Sequence, residues 1–564
     1  MDSRWAPALV RALRGYSRNT FVHDAIAGLT VGLVALPLAM AFSIASGLSP
    51  QAGIYCAIVT GFLISALGGS RCQIGGPTGA FVVVVAGIVA EHGVNGLFMC
   101  TMMAGVILVI LGVTGMGTAV NYLPRPVVVG FTNGIAVLIA STQIKDFFGL
   151  RIDSVPAEFA LRIEALAHHA SSYALESTLL GAAALAVILA LRWYVPALPG
   201  SIVALFAGTA VVAFAGLDVE TVGSRFGGIP SGLPAASLPR FDLALVPTLI
   251  RPALTVAMLG AIESLMSAVV ADRMSGDRHN PNVELVAQGV ANLASPVFGG
   301  LPATGAIART ATNIRSGART PVAGMLHAVT LLIVLLAAAP LAGFIPMPVL
   351  AAILLMVSYN MGEWHEIPKL MRLTKTDISV WVVTFALTVF ADLTLAVEVG
   401  MILAALLFIR RVATTTTVSM VTPEYVEAGR PHSLQDKRIP PEVAVFRIHG
   451  PFLFGTTDKI SAITENLERL PPIVAIRLRN MTAIDSTGIR ALEDLASELK
   501  DSGRTLILCG AREQPSELMQ AADLDEHIGP ENVCPNIEAA LERARAILAA
   551  APQQQPGLAG ADRL

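Results

Sequence analysis

The sequence predicts a polytopic α-helical membrane protein of about fourteen segments, arranged as two inverted repeats of seven, followed by a cytosolic α/β domain. Three observations predict it. Of 564 residues, 54% are hydrophobic and only 14% charged, with a mean hydropathy of +0.66; a soluble globular chain is roughly a quarter charged. Apolar runs suited to crossing a bilayer, which takes roughly 17 to 25 residues, recur from about Ala25 to Arg410. After Arg411 the pattern changes to short strands and amphipathic helices.

Residues 1–24 carry Arg4, Arg11, Arg14 and Arg18 but no compact apolar core with a cleavage site, and read as a cytosolic lead-in rather than a removed signal peptide. The membrane domain is placed at 25–411. Its first seven spans lie near 25–47, 52–68, 77–91, 96–115, 126–143, 177–193 and 199–217. The second seven lie near 247–270, 283–299, 303–313, 320–341, 348–361, 377–393 and 394–410. The third of each set, opening at Pro77 and Ala303, is short and carries the same Thr-Gly-Ala, at Thr78–Ala80 and Thr304–Ala306. Short interrupted segments at matching places in two halves mark an inverted repeat with a site between half-helices.

A linker is expected at 412–441, a soluble domain at 442–550 and a disordered tail at 551–564. Within the soluble part, Val443–Ile448, Ile473–Leu478 and Thr505–Leu508 read as strands. Thr457–Leu470, Ser486–Asp501, Gln514–Ala522 and Asn536–Leu548 read as helices. Basic residues including Arg71, Arg125, Arg192, Arg273 and Lys369 fall in loops that would share one side, so both termini are expected in the cytoplasm.

A net charge of −3 gives no reason to expect nucleic acid as a partner. The five cysteines form neither a CxxC pair nor a ligand spacing with histidine, so a disulfide framework and a metal site are not expected. No nucleophile–base pair and no Lys-bearing P-loop stands out, so no catalytic set is expected.

Ionisable residues at membrane depth are costly and mark pathways. Glu263 lies well inside its span, with Ser267 one turn further along the same face. Arg309 is expected between one and two turns into the short helix beginning near Ala303. The N-termini of the two half-helices supply unspent N–H groups and positive dipole ends. Gly79 and Gly305 would let a ligand approach the backbone, and Thr78 adds a hydroxyl donor. Together they read as an anion cradle. A carboxylate beside a bound anion repels it unless a proton or cation intervenes, which argues for coupled symport. If Arg309 neutralises Glu263, uniport or exchange serves equally well. Phe42 packs the core or lines the site. Glu398 is read as structural, and Asp392 and Asp24 as capping or water-facing residues at span ends.

With these residues in hand, the chain resembles the SulP (sulfate permease) family over nearly its whole length. The likeness is carried by Ala35–Phe42, Gly47–Pro50, Gly53–Tyr55, Gly76–Pro77 and Glu263–Ser264, and is densest from Gly305 to Thr320. Within the family, Pro77–Gly79, Val270–Asp272, His279–Asn282, Gln288–Gly289 and Gly299–Gly300 are most similar to the cyanobacterial sodium-dependent bicarbonate transporters. The resemblance implies a core domain and a gate domain, a homodimer, and elevator-like secondary transport of sulfate, bicarbonate or a dicarboxylate across a bacterial inner membrane. An uncoupled uniporter, channel or exchanger is the alternative. The candidate substrate-binding residues are Phe42, Thr78, Gly79, Ala80, Gly305, Ala306, Ile307 and Arg309, and the ion-coupling residues Glu263 and Ser267. No cofactor is implied beyond a coupling proton or sodium ion. Two departures bear on that ion. Glu263 stands where the bicarbonate transporter has a sodium-holding aspartate, and Ile307 where it has a threonine, so oxygen ligands are fewer and proton coupling gains. Leu38 replaces a glutamine of many members. The soluble part resembles a STAS domain at Ile484–Gly488, which makes Thr487 the candidate for a regulatory phosphorylation; on the bland reading, Asp485 and Ser486 cap a helix.

Overall fold

A computed structural model describes residues 5–117, 124–152, 155–156, 158–195, 198–228, 232, 236–391, 393–420, 439–464 and 467–550. Asp392, most of the predicted linker, part of the helix predicted at 457–470 and the whole predicted tail lie outside them.

In lipid every backbone polar group must be satisfied within the protein, and each of the fourteen predicted spans is largely helical. The first set comprises α2 (Arg18–Ala45), α3 (Pro50–Leu67), α4 (Gly79–Val113), α5 (Arg125–Phe148), α7 (Leu175–Tyr194) and α8 (Gly200–Ala215). The second comprises α10 (Val246–Ser275), α11 (Pro281–Ala294), α12 (Ile307–Arg315), α13 (Val322–Ala342), α14 (Met347–Met361), α16 (Lys375–Phe390) and α17 (Leu393–Thr415). Short helices α1 (Ala8–Ala12), α6 (Phe159–His168), α9 (Val222–Phe226) and α15 (Ile367–Leu370) lie between them. Among the described residues, eight helices are long and apolar enough to cross a membrane. The third and fourth predicted spans are the two arms of α4, broken at Gly93, whose φ of +69° only glycine adopts freely.

The helices gather into two bundles, α2–α4 with α10–α13, and α5, α7 and α8 with α14 and α16. Small residues bring helices of the first bundle close. A Cβ at Gly289 would lie 2.6 Å from Gly105 O, and one at Gly105 would lie 2.8 Å from Gly289 O. Of the two readings of Asp24, capping or facing water, the structure removes the second. Asp24 is fully buried and accepts from Arg319 N (2.8 Å), Thr320 N (3.1 Å), Thr320 Oγ1 (2.5 Å) and Tyr16 Oη (3.0 Å). Four donors compensate a charge that burial would otherwise make expensive.

The chain divides into two compact units between Ala404 and Ala405, within α17. The second unit holds a five-stranded sheet in the order β3 (Thr417–Met420), β4 (Val443–Phe452), β5 (Ile473–Ile484), β6 (Thr505–Cys509) and β7 (Val533–Cys534), counting β1 and β2 in the membrane unit below. β3 is antiparallel to β4, and the remaining pairs are parallel. The linker expected at 412–441 is therefore structured at its start. Its first residues finish α17, and Thr417–Met420 pair with β4 because the threonine-rich run suits an edge strand as well as a connector. Helix Ser486–Asp501 matches its predicted bounds.

Candidate functional site

Two two-residue strands, β1 (Gly75–Gly76) and β2 (Thr304–Gly305), pair antiparallel, Gly75 with Gly305 and Gly76 with Thr304. The ladder consumes residues expected to be helical. The half-helices consequently begin at Gly79 and Ile307, not at Pro77 and near Ala303, and Arg309 sits in the first turn of α12. Asn292 and Gln73, which the sequence did not single out, hold this crossing together with Ser264 and Thr304. Asn292 clamps both the N–H and the C=O of Ala303 at 2.8 Å. Gln73 Nε2 donates to Ser264 O (3.0 Å), Ser264 Oγ meets Thr304 Oγ1 (2.7 Å), and Thr304 Oγ1 reaches Gly260 O (2.9 Å).

The starts of α4 and α12 open on one cavity of about 320 Å³ between the two bundles. Phe42, Thr78, Gly79, Glu263, Gly305, Ala306, Ile307 and Arg309 all line it, eight of the ten residues expected to bind substrate or ion. Ala80 and Ser267 do not line it. Ala80 is buried in the apolar core, and Ser267 Oγ meets Thr310 Oγ1 at 3.0 Å, so its hydroxyl is spent on packing α10 against α12. The opposite wall adds Val127, Phe131 and Thr132 from α5 and Asn360 and Met361 from α14. No local pattern distinguishes these five from ordinary span residues.

The geometry corrects three expectations about the cradle. Gly305 N donates to Ser264 Oγ (3.3 Å) and Ala306 N to Ile74 O (2.8 Å), so neither is left for a ligand. The N–H groups of the following turn, from Ile307 to Arg309, take that place, because the first N–H groups of a helix have no partner within it. Glycine at 305 serves packing, since a Cβ there would lie 1.6 Å from Gln73 Nε2. Gly79 faces Met361 Sδ and Phe42 Cε1, which a Cβ would meet at 3.2 and 3.4 Å. Thr78 Oγ1, expected to donate to the ligand, donates to Glu263 Oε2 at 2.8 Å.

Arg309 is 2% exposed, so it does not snorkel to an edge. Its Nη2 donates to Pro77 O, tying the start of one half-helix to the approach of the other, while its buried Nη1 has no partner among the described residues. Glu263 and Arg309 line the same cavity without forming an ion pair. A guanidinium and two helix N-termini, each contributing roughly +0.5 charge, face one cavity that the carboxylates of Glu263 and Glu363 also line.

In the second unit Asp485 caps the helix Ser486–Asp501, with Oδ1 accepting from Gly488 N at 2.9 Å, and its Oδ2 accepts from Phe454 N at 3.0 Å. Thr487 is exposed on the first turn.

The sulfate permease family model matches residues 21–384, and the STAS domain model matches residues 435–540. The chain belongs to the sulfate permease family. It is 39% identical over 521 residues to YvdB of Bacillus subtilis (strain 168), whose name proposes sulfate transport, covering 92% of this chain and 97% of that one. It is 30% identical over 540 residues to the bicarbonate transporter BicA of Picosynechococcus sp. (strain ATCC 27264 / PCC 7002 / PR-6), covering 92% and 94%. The solved transmembrane domain of a cyanobacterial BicA is 34% identical and superposes with a TM-score of 0.60, covering 69% of this chain and 98% of that one. The murine solute carrier 26 member A9 anion transporter, 19% identical with a TM-score of 0.85 and covering 96% and 94%, shares the fold. The protein is a multi-pass membrane transporter of anions, not an enzyme, with a C-terminal STAS domain.

Proposed function

We propose that this protein is a secondary active transporter that couples entry of a small oxyanion, bicarbonate or sulfate, to a proton taken up by Glu263. The observation that carries the reading is the position of Glu263. It lines the cavity, holds Thr78 and makes no ion pair with Arg309. The guanidinium and the two helix ends amount to roughly +2, and ionised Glu263 and Glu363, which both line the cavity, lower that to roughly zero. Protonation of Glu263 therefore strengthens anion binding, and an anion in the site favours the proton. That reciprocity is the basis of symport. The names of YvdB and BicA support the substrate class. Ile307 offers no side-chain oxygen toward the cavity, which supports a proton over a sodium ion.

Both half-helices belong to the first bundle, while α5 and α14 belong to the second. The cradle can thus move as one body against α5 and α14, which supports an elevator-like motion. Basic loops support cytoplasmic termini in a bacterial inner membrane, and family likeness supports a homodimer. Exposure of Thr487 supports it as a modification site of the STAS domain.

The test is uptake of labelled bicarbonate, sulfate and succinate into proteoliposomes under a proton gradient alone and a sodium gradient alone. Proton-driven accumulation of one anion, lost in Glu263→Gln, is expected. Sodium-driven uptake would overturn proton coupling. Equilibration without accumulation would leave a uniporter or exchanger.

A further inference from the structure

A second cavity, of about 460 Å³, lies at the other end of the same cleft. The same helices line both. In α2 the central cavity takes Leu38 and Phe42 and the second takes Ala41, Ile44 and Ala45; in α14 the central cavity takes Val357, Asn360 and Met361 and the second takes Met347, Leu350, Ala351 and Leu354. Among the described residues, the central cavity has one cationic side chain, Arg309, and two carboxylates, Glu263 and Glu363. The second has three, Lys145, Arg162 and Arg225, against one carboxylate, Asp146.

Each cation has partners. Arg225 spans Asp146 (2.6 and 3.2 Å) and Glu220 (2.5 and 2.7 Å). Arg162 donates from Nε to Pro156 O (3.0 Å) and from Nη1 to Ser141 Oγ (3.0 Å) and Leu138 O (3.4 Å). Lys145 Nζ donates to Ile152 O at 2.5 Å, a contact that uses one of its three N–H groups. Counting Glu220 with the lining residues, the described side chains still sum to one positive charge, and a cleft with low-dielectric walls focuses such a field.

We propose that this second cavity is an anion-holding antechamber, with Lys145 as the group that meets the anion and Arg162 and Arg225 setting the field around it. The proposal rests on the anion-transport reading for its purpose, a raised local anion concentration at one mouth of the cleft. Its labelling test does not need transport.

Ala90 is exposed and lines the second cavity, and the five native cysteines are all buried, so Ala90→Cys gives one accessible reporter thiol. The full-length variant in neutral phosphatidylcholine vesicles is labelled with a negatively and a positively charged methanethiosulfonate, each rate taken relative to free cysteine. The negative reagent is expected to be favoured by about two- to fivefold, the size of a partly exposed charge interaction. Sulfate or bicarbonate should slow labelling saturably. Lys145→Gln should remove both effects and Lys145→Arg keep them, while Lys145→Gln raises KM for anion supplied on that side at unchanged kcat. Absence of charge preference and of protection overturns the proposal. So does protection that vanishes in Arg309→Gln, which places the anion in the central site. Slow labelling that requires phosphatidylglycerol assigns the cavity to a lipid phosphate instead.

Discussion

Thr78 Oγ1 donates to Glu263 Oε2 at 2.8 Å, joining the residue that precedes one half-helix to the carboxylate on α10. The start of α4 and the proposed coupling group thereby share one hydrogen bond. Thr78→Val removes it. A hydrogen bond donated to the ionised carboxylate is worth about 1.5–3 kcal/mol, so its loss favours the protonated form, and the proton concentration needed to drive uptake should fall by about tenfold or more. Thr78→Ser should retain most of the parent's proton dependence. An unchanged proton dependence in Thr78→Val would sever the link between the two residues.

Gly305→Ala places a methyl where Gln73 Nε2 stands, 1.6 Å from the ideal Cβ. Overpacking of this kind costs about 1–3 kcal/mol, and the melting temperature in detergent should drop. The double variant with Gln73→Ala should recover part of the loss, since it vacates the space. Additive losses would mean that the clash is relieved elsewhere.

Sodium dependence is open to construction. Ile307→Thr with Glu263→Asp installs the two side chains that the resemblance assigns to the bicarbonate transporters at those places, and a sodium site depends on its number of oxygen ligands. Uptake by the double variant should respond to a sodium gradient where the parent does not. Unchanged coupling would show that backbone carbonyls or other residues decide the ion.

Glu220 is held below the usual carboxylate range, chiefly by its hydrogen bonds from Arg225 and despite partial burial. A depressed carboxylate contributes stability that is present above its unfolded-state value and lost as pH falls through the folded value. Glu220 O also accepts from Met347 N at 2.9 Å. Hydrogen-exchange protection of the Met347 amide, corrected for intrinsic rate, should therefore hold from pH 7 to about pH 5 and decline only below about pH 4. Loss near pH 6 would point to a different titrating group.

Asp485→Ala removes both the helix cap and the tie to Phe454, and should destabilise the STAS domain by about 1–2 kcal/mol. Thr487→Ala, on an exposed first-turn position, should leave stability unchanged within about 0.5 kcal/mol. Local hydrogen exchange across Ser486–Asp501 in the full chain separates the two. A large Thr487→Ala effect would assign that residue a structural role.

Much of the fold was legible because the signals that carry it are local. Span length follows from bilayer thickness, and helix Ser486–Asp501 was placed to the residue by an Asp485 cap and an apolar face of period 3.6. Where two local readings compete, the sequence was less reliable. Thr417–Met420 has the composition of a connector and becomes a strand because β4 offers an unpaired edge. The third and tenth segments were recognised by their Thr-Gly-Ala, yet their first residues pair as β1 and β2, and no window around either segment contains its partner.

By itself, the sequence determined that this is a membrane protein with fourteen apolar segments in two matching sets, a STAS-like domain, and a likeness dense enough to name eight residues that do line the cavity. The tertiary structure decided what those residues touch. It turned Thr78 toward Glu263, spent the amides of Gly305 and Ala306, took Ser267 out of the cavity, buried Asp24 and gathered Lys145, Arg162 and Arg225 around a second one. The reason is physical. Periodicity and segment length are set by neighbours within a turn or two, whereas the hydrogen bond from Thr78 to Glu263 spans 185 residues of chain and that from Ile74 N to Thr310 Oγ1 spans 236. Partners that far apart are chosen by packing, after every local preference has been satisfied.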